Sequence, residues 1–197
     1  MAVEILADSP VYPPSTVGPY RYADYLEQPD EPRCELLYGR FYLSPAPSLP
    51  HQVAALVLWR WLDDLACSTG GLALAAPVDI VLTDHSVVQP DLIYLAAERR
   101  TLGVDHIEGA PDLLVEVLSP RTVRRDRGEK LKLYAESGVR EYWLVDPALR
   151  QIEFLLNRGG RFEVVLTLDG FYRPEILPGA VLDLRKLWDD VDARLGR

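Results

Sequence analysis

Cysteine, methionine and basic residues are the scarce features of this chain. Its 197 residues include only two cysteines, Cys34 and Cys67, and one methionine. So few cysteines argue against a disulfide framework or a cysteine-rich zinc site, and they point to a reducing, cytoplasmic setting. The chain contains no run of about 18 apolar residues, so no membrane-spanning helix is expected. Met1-Ala-Val-Glu-Ile has neither the basic start nor the apolar stretch of a secretory signal. Lysine and arginine number 21 against 30 aspartates and glutamates, a net charge of −9. Proteins that hold nucleic acid chiefly by neutralising phosphates carry a basic excess. The bases are concentrated locally in Arg121, Arg124, Arg125, Arg127, Lys130 and Lys132, a patch that either steers a polyanion or is simply a solvated helix entry, so charge alone leaves the partner open. Without a Gly-x-Ser-x-Gly elbow, serine-hydrolase chemistry is disfavoured. A glycine-rich phosphate loop with a following lysine is missing too.

What is present suits a soluble globular protein: 48% hydrophobic residues, 26% charged, and a length of about one domain. Residues 1–19, with Pro10, Pro13, Pro14 and Pro19, read as an extended arm, and residues 20–197 as a single domain. A short helix is expected at Arg21–Gln28, then a hairpin of Cys34–Tyr38 and Arg40–Leu43 turning at Gly39. The apolar spacing of Val53, Leu56, Val57, Trp61 and Leu65 predicts a helix over His51–Cys67, ended by Gly70-Gly71. Three strand-like runs follow, Ala73–Leu82, Val87–Leu95 and Leu113–Leu118, the last apolar enough for the centre of a sheet covered on both faces. A second helix runs from about Asp126 to Ser137 and stops at Gly138. Glu141–Val145 is a further strand, Gln151–Leu156 and Phe162–Leu168 a meander, and Leu184–Asp190 a terminal helix. The fold class is α/β: a mixed sheet flanked by helices in the order αβββαβ, with a C-terminal β meander added.

Glu116 stands out because Leu113-Leu114-Val115-Glu116-Val117-Leu118 is otherwise built for burial. An ionised carboxylate there costs several kcal/mol unless a cation or hydrogen-bond donors compensate it. It could pair with a nearby arginine at a strand end, or it could hold a metal. Asp91 follows Pro90 at the start of a second apolar run, and Pro-Asp alone is a common turn dipeptide. Together, two carboxylates from neighbouring strands can converge on one hard divalent cation. On the second helix, Asp126, Lys130 and Tyr134 recur at i, i+4 spacing and share a face, with Lys132 pointing elsewhere. Helical geometry alone does not choose between the two lysines. Asp112 lies on the strand face of Glu116, and either orients a neighbour or only begins the strand. His51 either caps its helix, contacts phosphate or is solvated. Arg124 and Arg125 are candidate phosphate contacts or surface residues.

Several segments together resemble the Uma-two family of restriction-endonuclease-like proteins, within the PD-(D/E)XK nuclease superfamily. They are Cys34-Glu-Leu-Leu-Tyr-Gly39, Pro50-His51-Gln52, Gln89-Pro90-Asp91, Pro111 to Pro120, Asp126 to Lys130 with Tyr134, and Glu141 to Asp146. The resemblance implies Asp91 and Glu116 as the motif acids and ligands of Mg²⁺ or Mn²⁺. It implies a lysine as the third catalytic member and Glu35 as an acid supporting the metal or its water. In the superfamily that lysine stands two residues after the glutamate, a position held here by Leu118. The resemblance moves the role to Lys130 on the following helix. The implied reaction is hydrolysis of DNA phosphodiester bonds, commonly by a homodimer, with Trp59, Trp61, Trp143 or the Phe154–Val165 meander as interface candidates. Two rival readings are a nuclease fold that binds without cleaving, motivated by the acidic charge and the displaced lysine, and a hydrolase of RNA or another phosphoester.

Overall fold

The computed structural model of the protein describes residues 5–6, 17–99, 105–167 and 169–197. The chain elements are β1 (Ile5–Leu6), α1 (Tyr22–Leu26), β2 (Cys34–Leu37), β3 (Arg40–Leu43), α2 (Leu49–Thr69), β4 (Leu72–Ala75), β5 (Ile80–Thr83), β6 (Ser86–Val88), β7 (Leu92–Leu95), β8 (Ile107–Glu108) and β9 (Leu113–Val117). After them come α3 (Val123–Arg125), a π-helical turn (Asp126–Lys130), α4 (Leu131–Ser137), β10 (Glu141–Asp146), β11 (Gln151–Asn157), β12 (Phe162–Val165), β13 (Phe171–Tyr172), β14 (Leu182–Asp183) and α5 (Leu184–Leu195).

The expected αβββαβ core is α2, β4, β7, β9, the helical segment 123–137 and β10. Every residue of β9 is buried, and it lies between β7, antiparallel, and β10, parallel. A parallel neighbour needs a crossover, and the helix after Ser119 supplies it. The meander strands β11 and β12 extend this same sheet, in the order β12-β11-β10-β9-β7-β4. Alternation along β9 directs Leu113, Val115 and Val117 to the core under α2. Leu114 and Leu118 face the other side, where Leu133 and Tyr134 pack. Glu116 shares that second side.

Two of the predicted strands divide. Ala73–Leu82 becomes β4 and β5, and Val87–Leu95 becomes β6 and β7. Pro77 and Pro90 lie in the breaks, and a proline has no amide hydrogen to give a ladder. The pieces belong to different sheets. β5 and β6 join a second sheet in the order β1-β3-β2-β6-β5-β8. Of the proposed arm at residues 1–19, Ile5–Leu6 pairs parallel with β3; residues 1–4 and 7–16 lie outside the described residues, as does Leu168 at the predicted end of β12.

α2 begins earlier than its apolar spacing suggests, with Ser48 as N-cap accepting from the His51 amide at 3.4 Å. Its deepest face is Ala54, Ala55, Leu58, Leu62 and Ala66, while Leu56 remains 50% exposed. The buried alanines let the helix sit low on the sheet, which rotates the predicted stripe. α5 likewise extends to Leu195, capped by Asp183. Among the described residues no helix is long and apolar enough to cross a membrane.

The hairpin turn falls where Gly39 predicts. Tyr38 (φ 48) and Gly39 (φ 72) both take left-handed conformations. A Cβ on Gly39 would meet the Gly18 carbonyl oxygen at 2.3 Å. Gly39→Ala is therefore expected to cost at least about 1–2 kcal/mol from the left-handed backbone alone, read as a lower thermal midpoint.

Candidate active site

Glu116 is held in the sheet by its strand, and three other elements bring partners to it. β7 pairs with β9 so that Leu92 opposes Val115. Asp91, one residue earlier, thus lies beside Glu116 on the same face of the sheet. Its Oδ2 accepts from the Val117 amide at 2.7 Å, which ties the aspartate to the strand carrying Glu116. His51, in the first turns of α2, sets Nε2 3.1 Å from the same Oδ2. Ser48 caps the helix, so His51 serves the cleft with its side chain. From the second sheet, β2 delivers Glu35, whose Oε1 accepts from the Gln89 amide at 2.8 Å.

The helical segment supplies the cation. Lys130 Nζ is 2.8 Å from Glu116 Oε1, 2.8 Å from Glu35 Oε1 and 3.8 Å from Asp126 Oδ1. Tyr134 donates its hydroxyl to the same Glu116 Oε1 at 2.8 Å. The π turn accounts for this reach, since it widens the helix by one residue and lets consecutive positions turn inward. Glu129 and Lys130 are both buried, with Tyr42 donating to Glu129 at 3.1 Å. Lys132 is part-exposed and lies 3.7 Å from Glu136. The geometry thus separates the two lysines that helical spacing left open.

These groups are deeply enclosed: Glu116 is 5% exposed, Lys130 3% and Asp126 1%. Burial pushes the Glu116 carboxyl well above the ordinary carboxylate range; Lys130 opposes this, and Asp126, Asp91 and Glu35 add to it. Asp126 is raised to about 6, again chiefly by burial, with Lys130 and a Thr122 hydrogen bond opposing. For Lys130, burial alone would lower the pKa, but Glu116, Glu35 and Asp126 outweigh it and keep the ammonium charged. Burial also raises the Tyr134 hydroxyl well above its usual value, with Glu116 adding to the effect, so it remains a donor.

A cleft of about 1210 Å³ opens over this floor, and Glu35, His51, Asp91, Glu116, Asp126 and Lys130 all line it. Three candidates lie elsewhere or play other parts. Arg125 is turned inward, 3.5 Å from Glu35 Oε2, donating to the Leu43 carbonyl and lying over the Tyr42 ring. It holds the second sheet to the helix and also lines the cleft; its burial excludes the solvated alternative. Arg124 is exposed and is not part of the cleft lining. Asp112, fully buried, accepts from Arg99 at 2.9 Å, Arg140 at 3.1 Å and the Ala96 amide at 2.8 Å. It locks the far end of β9. Asp112→Ala should cost roughly 2–3 kcal/mol by stranding these donors, while the remaining folded protein keeps its activity in a per-folded-molecule assay.

Gln89 and Glu129 stand inside segments that carry the family resemblance but received no role there, and Tyr42 was not singled out. Gln89 adjoins the Pro90-Asp91 pair, and that adjacency was the one available signal. Trp143, a suggested interface residue, is fully buried against Phe154 and Tyr172 and cannot serve one.

The donor set suits a hard divalent cation. Glu35, Glu116 and Asp126 surround Lys130, Arg125 lies against Glu35, and Asp91 stands beside Glu116. Among the described residues, Asp91 Oδ1 and Glu116 Oε2 accept no hydrogen bond. No three His, Cys, Asp or Glu side chains of the described residues converge as a cage. Mg²⁺ commonly uses one or two carboxylates and fills its other positions with water and substrate phosphate.

An αβββαβ core that carries two acids on neighbouring strands defines a class of protein, the restriction-endonuclease-like fold. Residues 21–185 match the Uma2 family, described as "Putative restriction endonuclease", and the chain belongs to that family. Among proteins similar to it is the uncharacterized protein slr1290 of Synechocystis sp., 30% identical over 154 residues, which span 76% of this chain and 78% of that protein. A solved structure from Anabaena variabilis, described as a putative nuclease belonging to DUF820, superposes with a TM-score of 0.74 at 18% identity. That match covers 88% of this chain and 99% of the other. At that identity the likeness speaks for the fold.

Proposed function

We propose that the protein hydrolyses phosphodiester bonds of DNA, with Asp91 and Glu116 holding Mg²⁺ or Mn²⁺ and Lys130 as the catalytic cation. The observation that supports this most is the clasp of Lys130 between Glu116 and Glu35 at the floor of the cleft, beside Asp91. When bound, the metal would polarise the scissile phosphate and lower the pKa of a coordinated water. The remaining work belongs to the chain. Lys130 uses two of its three N–H donors on carboxylates and keeps one for the attacking water or a phosphoryl oxygen. Fixed in a low-dielectric floor, its charge offsets the charge that develops on the phosphate without reorganising. Tyr134 and Glu35 hold Glu116 and Lys130 in place, and His51 with the Val117 amide orients Asp91.

The test is nicking of supercoiled plasmid with Mg²⁺, with EDTA as control. Metal-dependent conversion to open circles is expected. A wild-type protein that binds DNA but never cuts it, under any divalent ion tried, would favour the rival in which the fold binds without chemistry. Cleavage of RNA alone in a parallel substrate panel would replace DNA by RNA in the proposal.

A further inference from the structure

One wall of the cleft has a different character from its acidic floor. Leu56 and Trp59, on the face of α2 that also carries His51, line it. Leu56 is 50% exposed, and Trp59 is only partly buried and stacks on no other aromatic ring among the described residues. By the helical rise, Trp59 stands about 12 Å along α2 from His51. Arg33 and Arg121 line the same cleft, and neither pairs with a carboxylate among the described residues. The exposed lining carries one carboxylate, Glu31.

We infer that the cleft takes an unpaired strand of nucleic acid, one base lying on Trp59 and Leu56 and the flanking phosphates on Arg33 and Arg121. The occupant rests on the nuclease reading above; the strandedness is a separate inference. Two geometric facts carry it. Glu116, Lys130 and Asp126 are only 1–5% exposed at the floor of the cleft, with Asp91 21% exposed beside them, so a phosphate reaches them more readily from a flexible single strand than from the regular backbone of a duplex. The volume, about 1210 Å³, slightly exceeds small-molecule pockets of roughly 300–1,000 Å³, which leaves room for a short single strand. An exposed apolar shelf beside unpaired arginines is the combination that strand-binding grooves use, since every base offers a stacking face.

Binding is measured by fluorescence anisotropy in EDTA with the full chain, so that no cleavage is required. The probes are one labelled oligonucleotide as single-stranded DNA, as single-stranded RNA and as blunt duplex DNA. The wild type should bind one or both single strands at least roughly ten-fold more tightly than the duplex. Trp59→Ala should lose roughly ten-fold or more of that affinity, and Trp59→Phe should keep most of it. Because Trp59 also touches the core, Leu56→Glu serves as a surface variant that places a carboxylate on the shelf, with the same expected loss. Arg121→Ser should reduce the salt slope by about one. Equal affinity for duplex and single strand, no binding to any probe, or unaltered binding in both Trp59→Ala and Leu56→Glu would overturn the inference. Strand-selective binding by a protein that cuts nothing in Mg²⁺ would leave it standing and sink the nuclease reading instead.

Discussion

Glu116→Gln is expected to lower plasmid nicking by roughly 10³-fold, about 4 kcal/mol of transition-state stabilisation, with no fall in thermal midpoint. The substitution keeps shape and burial but removes one negative charge from a cluster that already has a surplus. Burial and three neighbouring carboxylates disfavour the Glu116 anion, and Lys130 alone strongly favours it. The glutamine can still accept from Lys130 and Tyr134, and Lys130 retains Glu35. Loss of activity without loss of stability would mark a residue kept for function. Lys130→Met should be equally inactive but much less stable, because it leaves Glu35 and Glu116 buried without their shared cation. Pairing it with Glu35→Gln should recover part of the midpoint and none of the activity. Equal nicking by wild type, Glu116→Gln and Lys130→Met would rule out the assigned site.

The second large effect concerns metal and pH together. Glu116 and Asp126 both have folded-state pKa values above their unfolded ones, about 6 for Asp126. Such groups contribute stability that is complete below the unfolded value, near 4, and is lost as pH rises through the folded value. The metal-free midpoint should therefore decline from about pH 4 through about 6 as Asp126 ionises, and the raised Glu116 carboxyl adds to the decline in the same direction. The proposed Mg²⁺ would need ionised carboxylates, so its stabilisation should grow over the same range. At saturation of about a hundred times Kd the gain is roughly 2.7 kcal/mol, or about 5–10 °C for a chain of this length. Differential scanning fluorimetry with Mg²⁺ or EDTA across pH reads both effects. A midpoint indifferent to Mg²⁺ at pH 8 would remove Asp91 and Glu116 as ligands. Asp126→Asn should flatten the metal-free slope.

The order of the core elements was legible because burial imposes a period on the sequence. Leu113–Leu118 is apolar throughout since β9 is covered on both faces, and Glu116 was conspicuous against that background. The second sheet was legible only in its β2–β3 hairpin. Of its other strands, β5 and β6 are three or four residues long and prolines hide them within runs that read as single strands, and β8 has two residues. The inward turn of Arg125 depends on Glu35 from a distant hairpin, which no local pattern encodes. Spacing did not decide between Lys130 and Lys132 because a π turn breaks the regular period where the lysines lie. Leu56 was assigned to the core by that same regularity, when alanines on the adjacent face take the contact.

Lys130 grips one carboxylate from each sheet, Glu35 and Glu116, and belongs to a helix that neither sheet contains. Asp91, Glu116 and the lysine helix all belong to one layer, and the second carboxylate of the clasp arrives from the other. The resting position of the Lys130 ammonium is thus set by how the two layers dock, and a chain whose second sheet has come away would leave that lysine held from one side alone.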